Sequence, residues 1–174
     1  MKGGKRVSAD EREYLPHSKG CFLCGDENPA GIRTRFYVEG TEVRGKITLP
    51  RHVNGYKNIA HGGMVAALLD ETMGWAPTVF GKEHPMYVTG EIIVKYLAPV
   101  PVGEEIEVRS RLVKDAGRLA YCEGEILHRG KVCARAKGKF APMSREDTAE
   151  VIPYLKFDSC RRFRTILDAY REKK

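Results

Sequence analysis

The sequence predicts an α+β chain in which a curved antiparallel sheet wraps around one central α-helix. Three observations predict it. Segments on both sides of residues 61–81 alternate apolar and polar side chains with a period of two, the pattern of half-buried strands. Short turns such as Glu39-Gly40 and Asp115-Ala116-Gly117 punctuate them, as expected of antiparallel neighbours. Between these segments lie Met64, Ala66, Ala67, Leu68, Leu69, Met73 and Trp75, and a helix this apolar on every side belongs in a core.

In chain order, residues 1–16 are a polar leader, followed by a loop from His17 to Gly31 that is broken by Gly20, Gly25, Pro29 and Gly31. Ile32, Thr34, Phe36 and Val38 then alternate with Arg33, Arg35, Tyr37 and Glu39. Across the turn, Val43, Gly45, Ile47 and Leu49 fall on alternate positions, which predicts a hairpin. Pro50 to Ala60, with Asn54-Gly55 and Asn58, reads as a loop delivering the chain to a helix from His61 to near Gly81. Four strands follow: Met86 to Leu97, stopped by Pro99 and Pro101; Glu104 to Lys114; Arg118 to His128; and Lys131 to Phe140. In the last of these, Val132, Ala134, Ala136, Gly138 and Phe140 share one face, and Lys131, Cys133, Arg135, Lys137 and Lys139 the other. Residues 17–141 form the main domain. Residues 142–174 are a charged extension in which Phe163, Ile166, Leu167 and Tyr170 mark an amphipathic packing helix capped by Asp158-Ser159.

With 174 residues, 42% of them hydrophobic and 30% charged, the chain can bury a core without disulfide staples. No run approaches the roughly 18 apolar residues of a spanning helix. No apolar stretch follows the basic start Met1 to Arg6, so a cytoplasmic protein away from membranes is expected. The cysteines Cys21, Cys24, Cys122, Cys133 and Cys160 are odd in number, which favours reduced thiols. Cys21-x-x-Cys24 has the spacing of half a zinc knuckle, but no second pair follows and His17 alone cannot complete four ligands, so neither a metal nor another cofactor is expected. The net charge of +7 is scattered along the strands without an aromatic RNA-binding run or a finger pattern. A compact phosphate-bearing ligand suits that distribution better than nucleic acid.

Chemistry gathers at His61-Gly62-Gly63 and Asp70-Glu71. The two glycines permit close backbone approach, and the first turn of a helix presents N–H groups that can polarise a carbonyl oxygen. A carboxylate inside so apolar a helix must be paired, hydrogen-bonded or working as a base. An oxyanion site and a base would then share one helix; the competing reading is an ordinary helix start whose acids face a subunit boundary. Consecutive helix residues point about 100° apart, so only one of Asp70 and Glu71 faces a substrate, and the spacing from Gly62 favours Asp70. His61, at the loop-to-helix junction, is assigned to positioning. His52, His84 and His128 have no partner pattern and are taken as structural. No serine stands in a Gly-x-Ser-x-Gly elbow, and Cys122 and Cys133 occupy strand positions as small hydrophobes.

Taken in order, Cys21-Phe22-x-Cys24-Gly25-x-x-Asn28-Pro29-x-Gly31, Asn54-Gly55-Tyr56, His61-Gly62-Gly63, Asp70-Glu71 and Tyr96-Leu97-Ala98-Pro99-Val100-Pro101-Val102-Gly103 resemble the hotdog-fold acyl-CoA thioesterases. More narrowly, they resemble the PaaI-like branch with a Cys-Phe-x-Cys-Gly leader. The resemblance covers about residues 20–141. It implies that Gly62 offers its N–H to the thioester oxygen, with Gly63 beside it, and that Asp70 is the general base or the nucleophile. It implies that Thr89, seven positions before Tyr96, holds the water or the carboxylate, from the same chain or from the partner subunit. The family's asparagine six positions before the histidine corresponds to Gly55 here, with Asn54 one position further back as the substrate-binding candidate. Lys114 and Arg118, flanking a turn where family members bind the nucleotide, are candidates for the phosphates of coenzyme A.

The reading that results is a hotdog-fold thioesterase that cleaves acyl-CoA to a carboxylic acid and coenzyme A, active as a homodimer or homotetramer and without metal or redox cofactor. The alternative is a non-catalytic acyl-CoA-binding or regulatory module of the same fold, which the charged tail favours and the presence of Asp70 opposes.

Overall fold

A computed structural model describes residues 12–83, 85–157 and 161–170. In chain order the elements are β1 (Glu13–Tyr14), β2 (His17–Ser18), β3 (Phe36–Glu39), β4 (Glu42–Thr48), β5 (Asn54–Tyr56), β6 (Ile59–Ala60), α1 (Gly62–Phe80), β7 (Tyr87–Tyr96), β8 (Glu105–Asp115), β9 (Ala120–His128), β10 (Lys131–Pro142), α2 (Arg145–Val151), β11 (Leu155–Lys156) and α3 (Arg161–Asp168). The main sheet is antiparallel throughout, in the order β1-β3-β4-β8-β9-β10-β7. Helix α1 lies across it, and Leu68, Leu69, Met73 and Ala76 are fully buried against the strands. The expected order of two strands, a helix and four strands is the frame of the molecule.

The sheet closes on α1 because its facing positions are cut small. A Cβ on Gly124 would lie 3.1 Å from Met73 Cγ and 3.2 Å from Leu69 Cδ2. Gly138 is tighter, with Phe140 Cε2 at 2.5 Å. Gly124→Leu is therefore expected to push α1 off the sheet and cost about 1–3 kcal/mol, read as a lower urea midpoint; an unchanged midpoint would refute this account of the packing.

Three local expectations are corrected. The first strand starts at Phe36 and not at Ile32, because Arg33 adopts a positive φ of 60° that breaks the extended run, and Tyr37 is buried together with Phe36. Cys133 is buried beside Ala134 and not on the opposite face, because a bulge between Val132 and Ala134 breaks the alternation. The end of the leader joins the sheet, with Glu13 and Tyr14 paired to Val38 and Tyr37.

The extension beyond Pro142 packs into the same core through Ile152, Leu155, Phe163 and Leu167. Its unexpected helix α2 begins at Ser144, whose hydroxyl accepts from Asp147 N–H at 3.0 Å. Strand β11 pairs with β2. The proposed cap Asp158-Ser159, His84 and Cys160 lie outside the described residues. Among the described residues no helix is long and apolar enough to cross a membrane.

Candidate active site

Helix α1 opens with a cap that sorts its free N–H groups. His61 stands at the N-cap with φ −58° and ψ 137°, and its Nδ1 accepts from Gly63 N–H at 2.9 Å. The His61 carbonyl accepts from Met64 N–H at 2.9 Å and Val65 N–H at 3.2 Å. Among the described residues, Gly62 N–H is left without an acceptor, while the Gly62 carbonyl is held by the Tyr96 hydroxyl at 2.8 Å. The helix start therefore keeps one unused donor at its positive end, suited to an oxygen that gains negative charge. Gly63, the second glycine of the motif, has its donor committed to the cap.

An open groove of about 710 Å³ runs past this donor, walled by Tyr56, Ile59, Val65, Tyr96, Leu97 and Pro99. Its apolar walls and single polar end suit an acyl chain with its carbonyl at Gly62. Gly55 lines the groove, and a Cβ there would lie 3.0 Å from His61 Cα. Asn54 is exposed in β5, paired across to Ala60, and does not line it. Tyr96, to which the sequence reading gives no part, fixes the Gly62 carbonyl through its hydroxyl and so bears on how the helix start is held.

Asp70 is partly exposed and accepts from the Thr89 hydroxyl at 2.8 Å within the same chain. A backbone irregularity makes this meeting happen. On β7, Ile92 and Val94 pack inward, and strict alternation would turn residue 90 inward and Thr89 outward. The pairing of β7 with β10 steps from Glu91↔Lys139 to Thr89↔Phe140, so Gly90 is an extra residue and the inward side passes to Thr89 and Tyr87.

Glu71 points elsewhere. Its carboxylate meets Cys24 Sγ at 3.3 Å and Cys21 Sγ at 3.8 Å, against the loop before β3. Desolvation, then the charge of Cys21, pushes its carboxyl up to about 7. Cys21 is lowered to about 5 by a hydrogen bond from Cys24, against the opposing effect of burial, with amide donors helping. The same hydrogen bond, and burial, raise Cys24. The expectation of no metal counted two ligands; the fold brings a third to them.

One arrangement differs from the sequence reading. Gly62 and Asp70 share α1, but at 1.5 Å rise per residue they stand about 12 Å apart along it. They cannot both touch one thioester carbonyl from a single chain. Lys114 and Arg118 lie further off, since their turn meets the far end of α1, where Asp115 Oδ2 accepts from Lys82 N–H at 3.5 Å. Neither forms an ion pair among the described residues, and Lys114 lies 6.0 Å from the centre of the Tyr121 ring.

Many of the strand cations are paired with carboxylates. Arg109 and Arg135 both bind Glu125 at 2.8 Å, Arg111 binds Glu123 at 2.9 Å, and Lys139 binds Glu91 at 2.8 Å. These pairs make that part of the sheet face a mixed-charge ladder.

Comparison with known proteins bears on the fold. Residues 57–134 match the thioesterase superfamily. A Caenorhabditis elegans protein named "Putative esterase" is 33% identical over 89 residues, which are 51% of this chain and 52% of that relative. The chain spans about half the length of the first curated relatives it matches, 54% and 52%. A crystallised thioesterase superfamily protein is similar with a TM-score of 0.65 and 28% identity, over 71% of this chain and 60% of that one. The PaaI protein of the E. coli phenylacetic acid degradation operon shares the fold, with a TM-score of 0.58 and 16% identity over 65% of this chain and 81% of its own.

Proposed function

We propose that this chain, which carries a hotdog-fold thioesterase superfamily domain matched over residues 57–134, hydrolyses acyl-CoA thioesters to a carboxylic acid and coenzyme A. The observation that carries the reading is the pair of groups presented by α1: an amide donor at Gly62 with no acceptor among the described residues, and a solvent-reachable Asp70 carboxylate held by Thr89. Gly62 N–H receives the thioester oxygen as it becomes an oxyanion. Asp70 takes a proton from water as the water oxygen bonds to the acyl carbon; the carbon–sulfur bond then breaks and the coenzyme A thiolate is reprotonated. In the nucleophilic version Asp70 itself bonds to the acyl carbon and water cleaves the resulting anhydride. In a single turnover in heavy-oxygen water, label on Asp70 would show the nucleophilic route with water attacking the Asp70 carbonyl carbon of the anhydride.

The distance of about 12 Å between the two groups supports a site that takes Gly62 from one subunit and Asp70 from its partner. The edge strand β7 supports the same assembly. It is hydrogen-bonded on one side only and exposes Val88, Ile93 and Tyr96, an edge that a second copy would cover in a two-fold dimer. Lys114 and Arg118, exposed and without an ion pair among the described residues, are the proposed contacts for the coenzyme A phosphates. A tetramer would be built from such dimers.

A panel of short, medium, long and aromatic acyl-CoA substrates, followed by thiol release, tests the activity, and sedimentation at micromolar concentration tests the assembly. Turnover by a dimer or larger species is expected. Saturable acyl-CoA binding without thiol release would favour the non-catalytic binding module, and a purely monomeric species with full activity would refute the shared site.

A further inference from the structure

We propose that Cys21, Cys24 and Glu71 form a zinc site that clips the loop before β3 onto helix α1, with water in the fourth coordination position. Zinc bonds of about 2.3 Å to sulfur and about 2.0–2.2 Å to carboxylate oxygen give tetrahedral edges of about 3.8 Å between sulfurs and about 3.5 Å between sulfur and oxygen. Cys24 Sγ lies 3.3 Å from Glu71 Oε1 and Cys21 Sγ 3.8 Å from Oε2, so each sulfur stands near that edge length from the carboxylate, and one donor atom from each residue lies within 4.8 Å of the other two. The ligands converge from positions 47 and 50 residues apart in sequence, so tertiary folding and not a local turn assembles the set.

The surroundings are shaped for a thiolate ligand. Leu23 and Cys24 N–H groups both point at Cys21 Sγ, at 3.3 and 3.4 Å, which orients the sulfur. The turn is so tight that a Cβ on Gly25 would lie 2.5 Å from the carbonyl oxygens of Cys21 and Lys19. Arg35 Nη1 holds the Cys24 carbonyl at 2.6 Å, so the loop is fixed from behind. No ion pair among the described residues gives Glu71 a cation. Two sulfurs and one carboxylate select zinc over magnesium or calcium, which prefer all-oxygen shells. Cys24 is 1% exposed while Cys21 is partly open, giving the ion a route in and a water a place to sit. The ion would tie the loop to the helix turn that carries Asp70, and binding energy at such a site becomes folding energy.

The test uses the full-length, untagged, reduced chain and zinc chloride. One equivalent of zinc is expected to survive dialysis, with thermal unfolding moving to lower temperature when a chelator removes it. Cys24→Ser should weaken zinc binding by more than about 100-fold, beyond the loss typical of a changed outer-shell partner. Cobalt(II) soaked into the unaltered chain should show a thiolate-to-metal charge-transfer band, a readout that does not depend on any variant folding. Substoichiometric zinc in the reduced chain, a cobalt spectrum without that band, or full zinc retention by Cys24→Ser would each overturn the proposal. So would a Cys21–Cys24 disulfide that persists under reductant. Because every readout is metal content, spectrum or stability, the outcome is separate from whether the chain hydrolyses thioesters.

Discussion

Asp70→Asn is expected to lower kcat for acyl-CoA hydrolysis by about two to four orders of magnitude while KM changes little. Asparagine keeps the size of the side chain and can still meet the Thr89 hydroxyl, now 2.8 Å from Asp70 Oδ1. It can neither take a proton from water nor attack the acyl carbon. The fold should be indifferent, since Asp70 is partly exposed and lies outside the ion pairs found among the described residues. Substrate affinity should survive because the apolar groove beside Gly62 and the cations at the far end of α1 are untouched. A kcat within a few-fold of the parent would remove Asp70 from the mechanism, and Glu71→Gln as the dead variant would move the acid to its neighbour. The contacts argue against that second outcome, because the Glu71 carboxylate is turned to the thiols of Cys21 and Cys24.

The long alternating strands and the apolar helix were legible because burial on one face writes a period into the chain. The short strands were not. Glu13–Tyr14, His17–Ser18 and Leu155–Lys156 are too short to show a period, and pairing across the fold alone makes them strands. Thr89 is a sharper case. Alternation along β7 groups it with Glu91 and Ile93 on the outer face, and only the extra residue at Gly90 turns it toward Asp70. Motif resemblance alone points to it, and the resemblance carries the effect of a bulge without revealing its cause. The environment of Glu71 was hidden for another reason: the cysteine loop precedes it by 47 residues, and no local pattern announces that contact. By contrast, the gap between Gly62 and Asp70 follows from helix rise alone, and it is what supports the proposal of a site shared between two chains.

Gly62→Pro is expected to lower kcat by about 100- to 1,000-fold, the usual effect of losing one oxyanion donor, while leaving the chain folded. Proline removes the N–H, and the position tolerates it. Gly62 is the first residue of α1, where proline is favoured because its missing donor has no intrahelical partner. His61 before it sits at φ −58° and ψ 137°, the extended conformation that a residue preceding proline prefers. A Cβ at Gly62 would approach the Tyr96 hydroxyl no closer than 3.5 Å, an ordinary contact. Gly62→Ala adds that same atom and keeps the donor, so it should lose far less and isolates the N–H as the cause. Mixing then locates the two groups in the assembly. Co-expressed Gly62→Pro and Asp70→Asn chains, each nearly inactive alone, should recover about a quarter of parental activity, since half of randomly formed dimers are mixed and each mixed dimer has one intact site of two. No recovery in a confirmed mixed dimer would place Gly62 and Asp70 of one chain at the same substrate. The separation of about 12 Å along α1 argues against both groups of one chain reaching a single thioester carbonyl.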